Sequence, residues 1–369
     1  SGFLITRILL SEIISNNFSI IKFYAGRIIR IFPALISVLL SCIVLGWFVQ
    51  SANEFEKLGK HIFANAGFVS NFLLWTESSY FDSSSETKPL LHLWSLSVEG
   101  QFYLIWPAII LIIWKYKFRI SSFIIICILM SIILTYSIAG GNNLSNGVFY
   151  LPITRAWELS MGALLANFYF KETHYLKKIV TKANETFQKF FSYDRSKQIN
   201  VFNYNIISIV GVLLIFSSFY RVNNGEVFSL FITFPTVIGS CCLIISGPNS
   251  FFNKYFLCNK ISVFLGLISY PLYLWHWPLL SLSKYLNLSS VVNIFLILIA
   301  FILSWLTYVL IESPIRKNHN KRKTSIFLII VMLLTAALGI LIVFQKGFPF
   351  RYQSHEEYTL NGDLRVKKI

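Results

Sequence analysis

Long apolar runs alternate with short basic loops along nearly the whole chain. A helical run of about 20 residues covers the ~30 Å hydrocarbon core of a bilayer, so each such run predicts a membrane-spanning helix. Residues 1–10 predict the end of a further, incomplete span. The predicted fold class is therefore all-α, a polytopic membrane helical bundle. Nine full crossings are predicted at about residues 31–49, 94–114, 120–139, 148–169, 203–220, 230–247, 262–283, 291–311 and 325–344.

Residues 54–75 depart from this pattern because charged and apolar positions alternate there. Lys57, Lys60 and His61 are interleaved with large apolar residues, which indicates an interfacial or re-entrant helix that does not cross. If the segment does not cross, twenty Lys and Arg residues fall on one side of the membrane and five on the other, before the final tail is counted. Cytosolic loops carry the excess of Lys and Arg, so the larger set predicts the cytosolic face.

The composition agrees with a membrane protein, since 55% of residues are hydrophobic, 13% are charged and the mean hydropathy is +0.64. The net charge of +16 lies mostly in loops between spans, so it indicates topology and not a nucleic-acid partner. Five cysteines without CxxC or zinc spacing predict neither disulfides nor a metal site. We expect a membrane domain over residues 1–344, incomplete at its N-terminus, and an outer-side tail over residues 345–369.

The main candidate chemistry lies in residues 91–107, where Glu99 interrupts an apolar run. A carboxylate inside a membrane normally faces the protein interior or a wet cavity and marks function. Ser95, Glu99 and Tyr103 share one helical face, because positions three or four apart are neighbours. Glu99 also needs a cationic partner, for which Arg155 is the candidate. A buried Glu tied to Tyr or Arg for packing alone is the open alternative.

Two further pairs of ionisable residues are spaced three apart. Arg27 and Arg30 lie at the predicted cytosolic mouth of a span. Two guanidinium groups there can bind phosphate. The alternative is that they only anchor the span and set its topology. Arg155 and Glu158 lie inside a predicted span, where pairing lowers the cost of burying either charge. Arg155 is a candidate to stabilise an oxyanion or to bind an anionic donor, with Glu158 orienting it. An interhelical clamp is the alternative.

His276 lies near Tyr270 in an aromatic helix that contains two prolines. A histidine in such an aromatic belt is more often a hydrogen-bonding residue than a base, and both roles stay open. Glu312 and Arg316 close a span at the predicted cytosolic face and predict a helix-end ion pair. Glu312 is also expected to hold one of the two mouth arginines in place.

Taken together, these stretches resemble the acyltransferase family 3 membrane proteins, specifically the O-antigen acetylase branch. Gly100 stands where Glu is usual in that family. The resemblance implies transfer of an acyl group, usually acetyl from acetyl-CoA, to a hydroxyl of a cell-surface polysaccharide such as O-antigen, in the bacterial inner membrane. The matching segments are residues 1–6, 27–33, 93–103, 269–276 and 312–316.

The resemblance also implies roles for single residues. Arg27 and Arg30 would bind the polyanionic nucleotide end of coenzyme A. The base expected from the family is a histidine of the first span, which this sequence does not contain, so the activity of this chain alone is in question. Residues 347–351 resemble a linker to an SGNH esterase-like domain. The acyl arm would pass four catalytic candidates, Glu99, Tyr103, Arg155 and Glu158, supported by Ser97, Tyr270, His276, Glu312 and Arg316.

A transporter or flippase for a lipid-linked sugar is the alternative, because the same buried charges would then line a pathway. The sequence shows no internal repeat, which disfavours the inverted-repeat transporter folds. Binding of coenzyme A distinguishes the two functions.

Overall fold

The computed structural model describes residues 1–77, 87–139, 149–172, 196–223 and 230–351, and within these ranges it contains no strand. A 3₁₀ turn (Leu91–Leu93) leads into the helix that begins at Trp94, and π-helical turns (Asn253–Leu257 and Thr307–Glu312) precede the helices that begin at Lys260 and Ser313. The helices are α1 (Gly2–Ile14), α2 (Ile20–Val49), α3 (Ala52–Ala66), α4 (Ser70–Glu77), α5 (Trp94–Lys115), α6 (Ile120–Ala139), α7 (Pro152–Glu172), α8 (Ser196–Asn223), α9 (Leu230–Ser246), α10 (Lys260–Tyr285), α11 (Ser290–Leu306), α12 (Ser313–Lys317) and α13 (Lys321–Phe344).

Seven helical stretches of the described chain are long and apolar enough to cross a bilayer. They confirm the prediction of an all-helical, multi-pass membrane protein. The two other predicted crossings fall on α9, which is apolar but has 17 residues, and on the 21-residue α7, which carries Arg155 and Glu158. The count of nine crossings stays a prediction. The seven stretches are Ile20–Val49, Leu91–Lys115, Ile120–Ile138, Tyr204–Arg221, Lys260–Tyr285, Ser290–Lys317 and Lys321–Phe344.

The segment predicted to be interfacial forms two short helices, α3 and α4, and neither is among the stretches apolar enough to cross. The helix α3 buries an apolar side that includes Phe55, Leu58 and Ile62. On its other side Lys57 and Lys60 are part-exposed and pair with glutamates one turn earlier. The predicted amphipathic character is therefore confirmed for α3.

The described chain divides into two compact units. Unit 1 comprises residues 1–18 and 102–266, and unit 2 comprises residues 19–101 and 267–369. Unit 1 packs α1 and α6 against α7, and α8 against α9. Unit 2 packs α13 against α2 and α3. The chain enters and leaves the units within α5 and near the start of α10, so both helices carry residues of both units.

Paired glycines let helices approach closely inside each unit. In unit 1 a Cβ atom added to Gly211 of α8 would lie 2.8 Å from the carbonyl oxygen of Gly239 of α9. In unit 2 a Cβ atom on Gly59 of α3 would lie 2.8 Å from the carbonyl oxygen of Gly339 of α13. Small residues allow this backbone contact, which is a main source of helix association where lipid removes the hydrophobic driving force.

The start of the predicted outer tail packs on unit 2. Arg351 donates from Nε to the carbonyl oxygen of Gly347 over 3.2 Å, and its guanidinium lies 4.3 Å from the ring centroid of Phe55 and 4.8 Å from that of Trp47. The segment predicted to be a linker is therefore docked at least as far as Arg351. The rest of the tail, residues 352–369, lies outside the described residues.

Candidate active site

The two mouth arginines lie one turn apart in the first half of α2. The guanidinium of half-buried Arg27 lies 5.9 Å from the ring centroid of Phe23, whereas Arg30 is exposed. Ser19 caps the N-terminus of this helix, and its side chain accepts a hydrogen bond from the Lys22 amide. One cation is thus held against an aromatic ring and the other faces outward, an arrangement open to an anionic ligand.

A buried carboxylate lies beside this pair. Glu312 ends the π-helical turn that packs on α2, and it is fully buried. It forms an ion pair with Arg316 one turn later, which confirms the predicted helix-end pair. Its charge also interacts with that of Arg30, one of the two predicted partners. The buried Glu312 carboxylate therefore has Arg316 as its direct partner and Arg30 as a second nearby cation.

Polar side chains follow one another along α10, starting beside Arg30 of α2. The hydroxyl of Tyr270 donates to the carbonyl oxygen of Ile31 over 2.8 Å, next to Arg30 in the sequence of α2. Tyr273 and His276 follow at spacings of three residues, so the three side chains lie along one side of α10.

The start of α5 meets this line at Tyr273. The Tyr273 hydroxyl donates to the carbonyl oxygen of His92 and lies 2.8 Å from the Ser95 hydroxyl. Half-buried Glu99 lies one turn after Ser95, and its charge also acts on Tyr273. Ser95 and Glu99 therefore both act on one side chain, as expected for positions that share a face. Spacing along the chain does not reveal Tyr273 as that side chain, because Ser95 and Tyr273 are 178 residues apart.

The helix α4 sets the position of α5. The hydroxyls of Ser97 and Ser70 are buried and lie 2.7 Å apart, so Ser97 joins the two helices. The Gln101 amide donates to the carbonyl oxygen of Phe68 over 2.7 Å. A Cβ atom on Gly100 would lie 2.4 Å from the Phe68 ring. The ring thus fills the space that a larger residue at position 100 would need.

In unit 1, Arg155 and Glu158 form the predicted pair, with Nη1 and Oε1 3.2 Å apart. Arg155 also donates from Nε to the carbonyl oxygen of Phe149, and its guanidinium lies 4.8 Å from the centroid of the Phe149 ring. The two side chains are 13% and 25% exposed. Glu99 belongs to unit 2, so its pairing with Arg155 stays a prediction.

Tyr103 lies in the part of α5 that belongs to unit 1. It is half-buried, and its ring centroid lies 6.5 Å from that of Phe102. One turn further on, the Trp106 indole donates to the Thr6 hydroxyl over 2.9 Å and joins α5 to α1. The assignment of Tyr103 to the site stays a prediction.

Two polar groups of unit 2 are not predicted from the sequence. Glu77 pairs with His61 Nε2 at 3.1 Å and Lys88 Nζ at 2.9 Å. Burial raises the pKa of Glu77, but hydrogen bonds and charges from His61 and Lys88 outweigh it and lower the pKa to about 2. His92, buried just before α5, is the second miss. No local spacing reveals either group, because the partners are distant in sequence.

In the part of the chain that the structure describes, no three His, Cys, Asp or Glu side chains gather to hold a metal ion.

Apolar helices with ionisable side chains at buried and half-buried positions define an integral membrane protein with a candidate site on α2, α5 and α10. A family model described as an acyltransferase domain matches residues 1–310. The chain belongs to this family, which confirms the resemblance found in its motifs.

Three relatives illustrate the similarity. An uncharacterized protein of Haemophilus influenzae is 40% identical over 237 residues, which cover 62% of this chain and 86% of that protein. The peptidoglycan O-acetyltransferase OatA of Listeria monocytogenes is 29% identical, over 86% of this chain and 50% of its own length. The O-acetyltransferase OatA of Staphylococcus aureus is 28% identical, over 96% of this chain and 58% of its own length. The chain thus spans only half or somewhat more of the two OatA proteins. No solved structure matches it significantly.

Proposed function

We propose that this protein is an O-acyltransferase of the bacterial inner membrane. It moves an acetyl group from acetyl-CoA on the cytosolic side to a hydroxyl of a cell-surface polysaccharide. Membership of the acyltransferase family supports the reaction class, and the names of the two OatA relatives support O-acetyl transfer. Peptidoglycan, named for the Listeria relative, and O-antigen, inferred from the sequence motifs, are the acceptors to test.

One observation carries the proposal, the polar row of unit 2. It begins at Arg30, continues through Tyr270, whose hydroxyl bonds the backbone next to Arg30, and reaches Tyr273 and Glu99. Polar and ionisable groups inside membrane spans are costly and are rarely kept without a function. A row that starts at a pair of cations at the predicted cytosolic mouth fits a donor with an anionic end and a reactive end.

The residues of the row have distinct tasks in this proposal. Arg27 and Arg30 bind the phosphates of the donor, because guanidinium forks match phosphate oxygens, and Glu312 restrains Arg30. When bound, acetyl-CoA supplies a thioester whose C–S bond breaks as the acceptor oxygen forms a C–O bond to the acyl carbon. The hydroxyl proton leaves to a base and ends on the departing thiolate. Glu99 and Tyr273 orient the reacting groups.

Unit 1 holds a second group of candidate catalytic residues. Arg155 stabilises the oxyanion that forms when the acceptor oxygen attacks, because a guanidinium offers donors to a developing negative charge. Glu158 orients Arg155 through the observed ion pair. Tyr103 remains a candidate to line the path of the acyl arm.

Binding of coenzyme A to the full-length protein in nanodiscs tests the proposal. We expect Arg27→Ala and Arg30→Ala each to weaken binding by about tenfold or more, because each removes charge-assisted hydrogen bonds. Lys22→Ala is the matched control, since Lys22 is an exposed cation on the same helix, and it is expected to change binding by less than about twofold. Absence of binding by the unsubstituted protein, or equal effects of all three changes, would contradict acyl transfer and favour the transporter alternative.

A further inference from the structure

Two histidines and two aromatic residues meet at the Tyr273 end of the polar row. The ring centroids of His92 and His276 lie 5.5 Å apart, with the ring planes at 75°. The Tyr273 ring lies 4.9 Å from that of His92 and 5.9 Å from that of His276, and Trp277 lies 6.4 Å from His92. We call these four residues the imidazole cluster. In the predicted topology it lies toward the outer face.

The backbone orients the ring of His276. Its Nδ1 lies 3.1 Å from the carbonyl oxygen of Leu272. A carbonyl oxygen can only accept, so Nδ1 carries the proton and the neutral ring keeps its lone pair on Nε2. His276 is half-buried, and no hydrogen bond to Nε2 from a described residue is present. The ring therefore presents an oriented acceptor that a hydroxyl group can use.

His92 is an unusual residue for packing alone. It is 9% exposed, and backbone groups of Tyr273 and Leu274 lie beside it, but neither ring nitrogen makes a hydrogen bond of good geometry to a described residue. A buried polar group without a good partner costs stability. An apolar ring of the same shape would pack there at lower cost, which indicates that the imidazole has another role.

The cluster is in line with the donor end of the row. Tyr270, Tyr273 and His276 succeed one another on α10, and six residues of helix rise by about 9 Å. Tyr273 belongs to both groups, because its hydroxyl contacts Ser95 and its ring contacts both histidines. A ligand at His276 would therefore lie at the end of the row that is remote from Arg30.

We propose that the imidazole cluster is the binding site for the acceptor sugar, an inference that rests on the proposed acyl transfer. A sugar hydroxyl donates to Nε2 of His276, and the rings of Tyr273 and Trp277 contact the apolar face of the sugar. The Trp277 indole is held for this purpose by its hydrogen bond to the carbonyl oxygen of Lys88, at 2.9 Å. His92 is a positioning residue that packs on the His276 ring. Few placed polar groups among aromatic rings are typical of small-ligand sites.

The test separates acceptor binding from donor binding in the full-length protein. Acetyl transfer to a soluble peptidoglycan oligosaccharide is measured with the acceptor and acetyl-CoA varied in turn. His276→Phe is expected to raise the KM for the acceptor about tenfold, the effect of one lost hydrogen bond, with the KM for acetyl-CoA unchanged. His276→Gln restores part of the loss because its amide oxygen can accept. His319→Phe, the same change at an exposed loop histidine, leaves both constants unchanged.

His92→Phe gives an independent readout. It removes a poorly bonded buried polar group, so the thermal unfolding midpoint is expected to stay the same or rise, while the KM for the acceptor rises about threefold. A merely structural histidine would instead lower the midpoint and change the KM values for donor and acceptor alike. That result, or an unchanged acceptor KM in His276→Phe, would overturn the assignment.

Failure of the proposed function is distinguishable from failure of this site. If the unsubstituted protein transfers no acetyl group, direct binding of the same oligosaccharide is measured. Binding that is weakened by His276→Phe and not by His319→Phe supports the acceptor site without acyl transfer. Equal binding by the unsubstituted protein and both variants overturns it.

Discussion

Unit 1 and unit 2 use their polar side chains differently. In unit 1 the polar groups between α6 and α7 form local ties. The Thr135 hydroxyl donates to the Thr154 carbonyl oxygen over 2.9 Å, and the Asn167 amide donates to the Ser121 hydroxyl over 2.9 Å. Such bonds satisfy the groups where they stand and hold two helices together in an apolar surrounding.

In unit 2 the polar groups instead form a row that starts on α2, follows α10 and ends on α5. Arg30, Tyr270, Tyr273 and Glu99 succeed one another on membrane-spanning helices, and they include one basic and one acidic side chain. The comparison teaches that burial of a polar group does not by itself mark a site. A hydrogen bond that only joins two neighbouring helices contributes to packing. A continuous row of polar and ionisable side chains, whose burial in a membrane costs free energy, indicates function.

Glu99→Gln is expected to have the largest effect. It keeps the size of the side chain and removes the charge that acts on Tyr273. We expect incorporation of radiolabelled acetyl by the full-length protein to fall by about 10²-fold or more, the range for groups that act on reacting protons and charges. The thermal unfolding midpoint should change little. Unchanged incorporation would show that Glu99 is not a site residue, and it would contradict a functional role for the row.

Arg155 tests whether unit 1 is purely structural. Arg155→Ala leaves Glu158 without its partner, so we expect the unfolding free energy to fall by about 1–3 kcal/mol and acetyl transfer to fall about tenfold. The double change Arg155→Ala with Glu158→Gln removes the uncompensated charge. It should recover stability, measured by thermal unfolding, while activity remains low. Recovery of both would assign the pair to packing alone.

Gly100→Ala examines the packing that supports the row. The added methyl group meets the Phe68 ring, which must shift, and overpacking of this kind costs about 1–3 kcal/mol. We expect a lower thermal midpoint that Phe68→Leu restores. Gly266→Ala is the control, since a Cβ atom there has no neighbour within 4 Å. An equal midpoint for the two alanine variants would contradict the contact.

The smallest effect is expected from the outlying Glu77 group of unit 2. Its pKa is about 2 in the folded protein against an ordinary value of 4.5, so its contribution to stability is full above pH 4.5 and is lost as the pH falls toward 2. Between pH 5 and pH 3 the unfolding free energy should fall by on the order of 1 kcal/mol more than in Glu77→Gln. Thermal unfolding in detergent at both pH values measures the difference, and parallel curves would contradict it.

Local patterns were sufficient for part of the site. The pairs Arg155 with Glu158 and Glu312 with Arg316 lie three and four residues apart, so helical geometry alone brings them together. The motifs around Glu99 and His276 were also recognisable, because each is a short continuous stretch of sequence. How the two motifs contact each other could not be predicted, because Ser95 and Tyr273 are 178 residues apart in sequence.

The sequence by itself determined that this is an all-helical membrane protein of the acyltransferase family, because length, hydropathy and short motifs are local properties. It also determined which charges lie one turn apart. Only the tertiary structure decided that Tyr273 joins α10 to Ser95 and Glu99, that Phe68 occupies the space beside Gly100, and that His92 meets His276. The physical reason is that each of these contacts depends on how two distant helices pack, and side chains, not spacing along one helix, decide that packing.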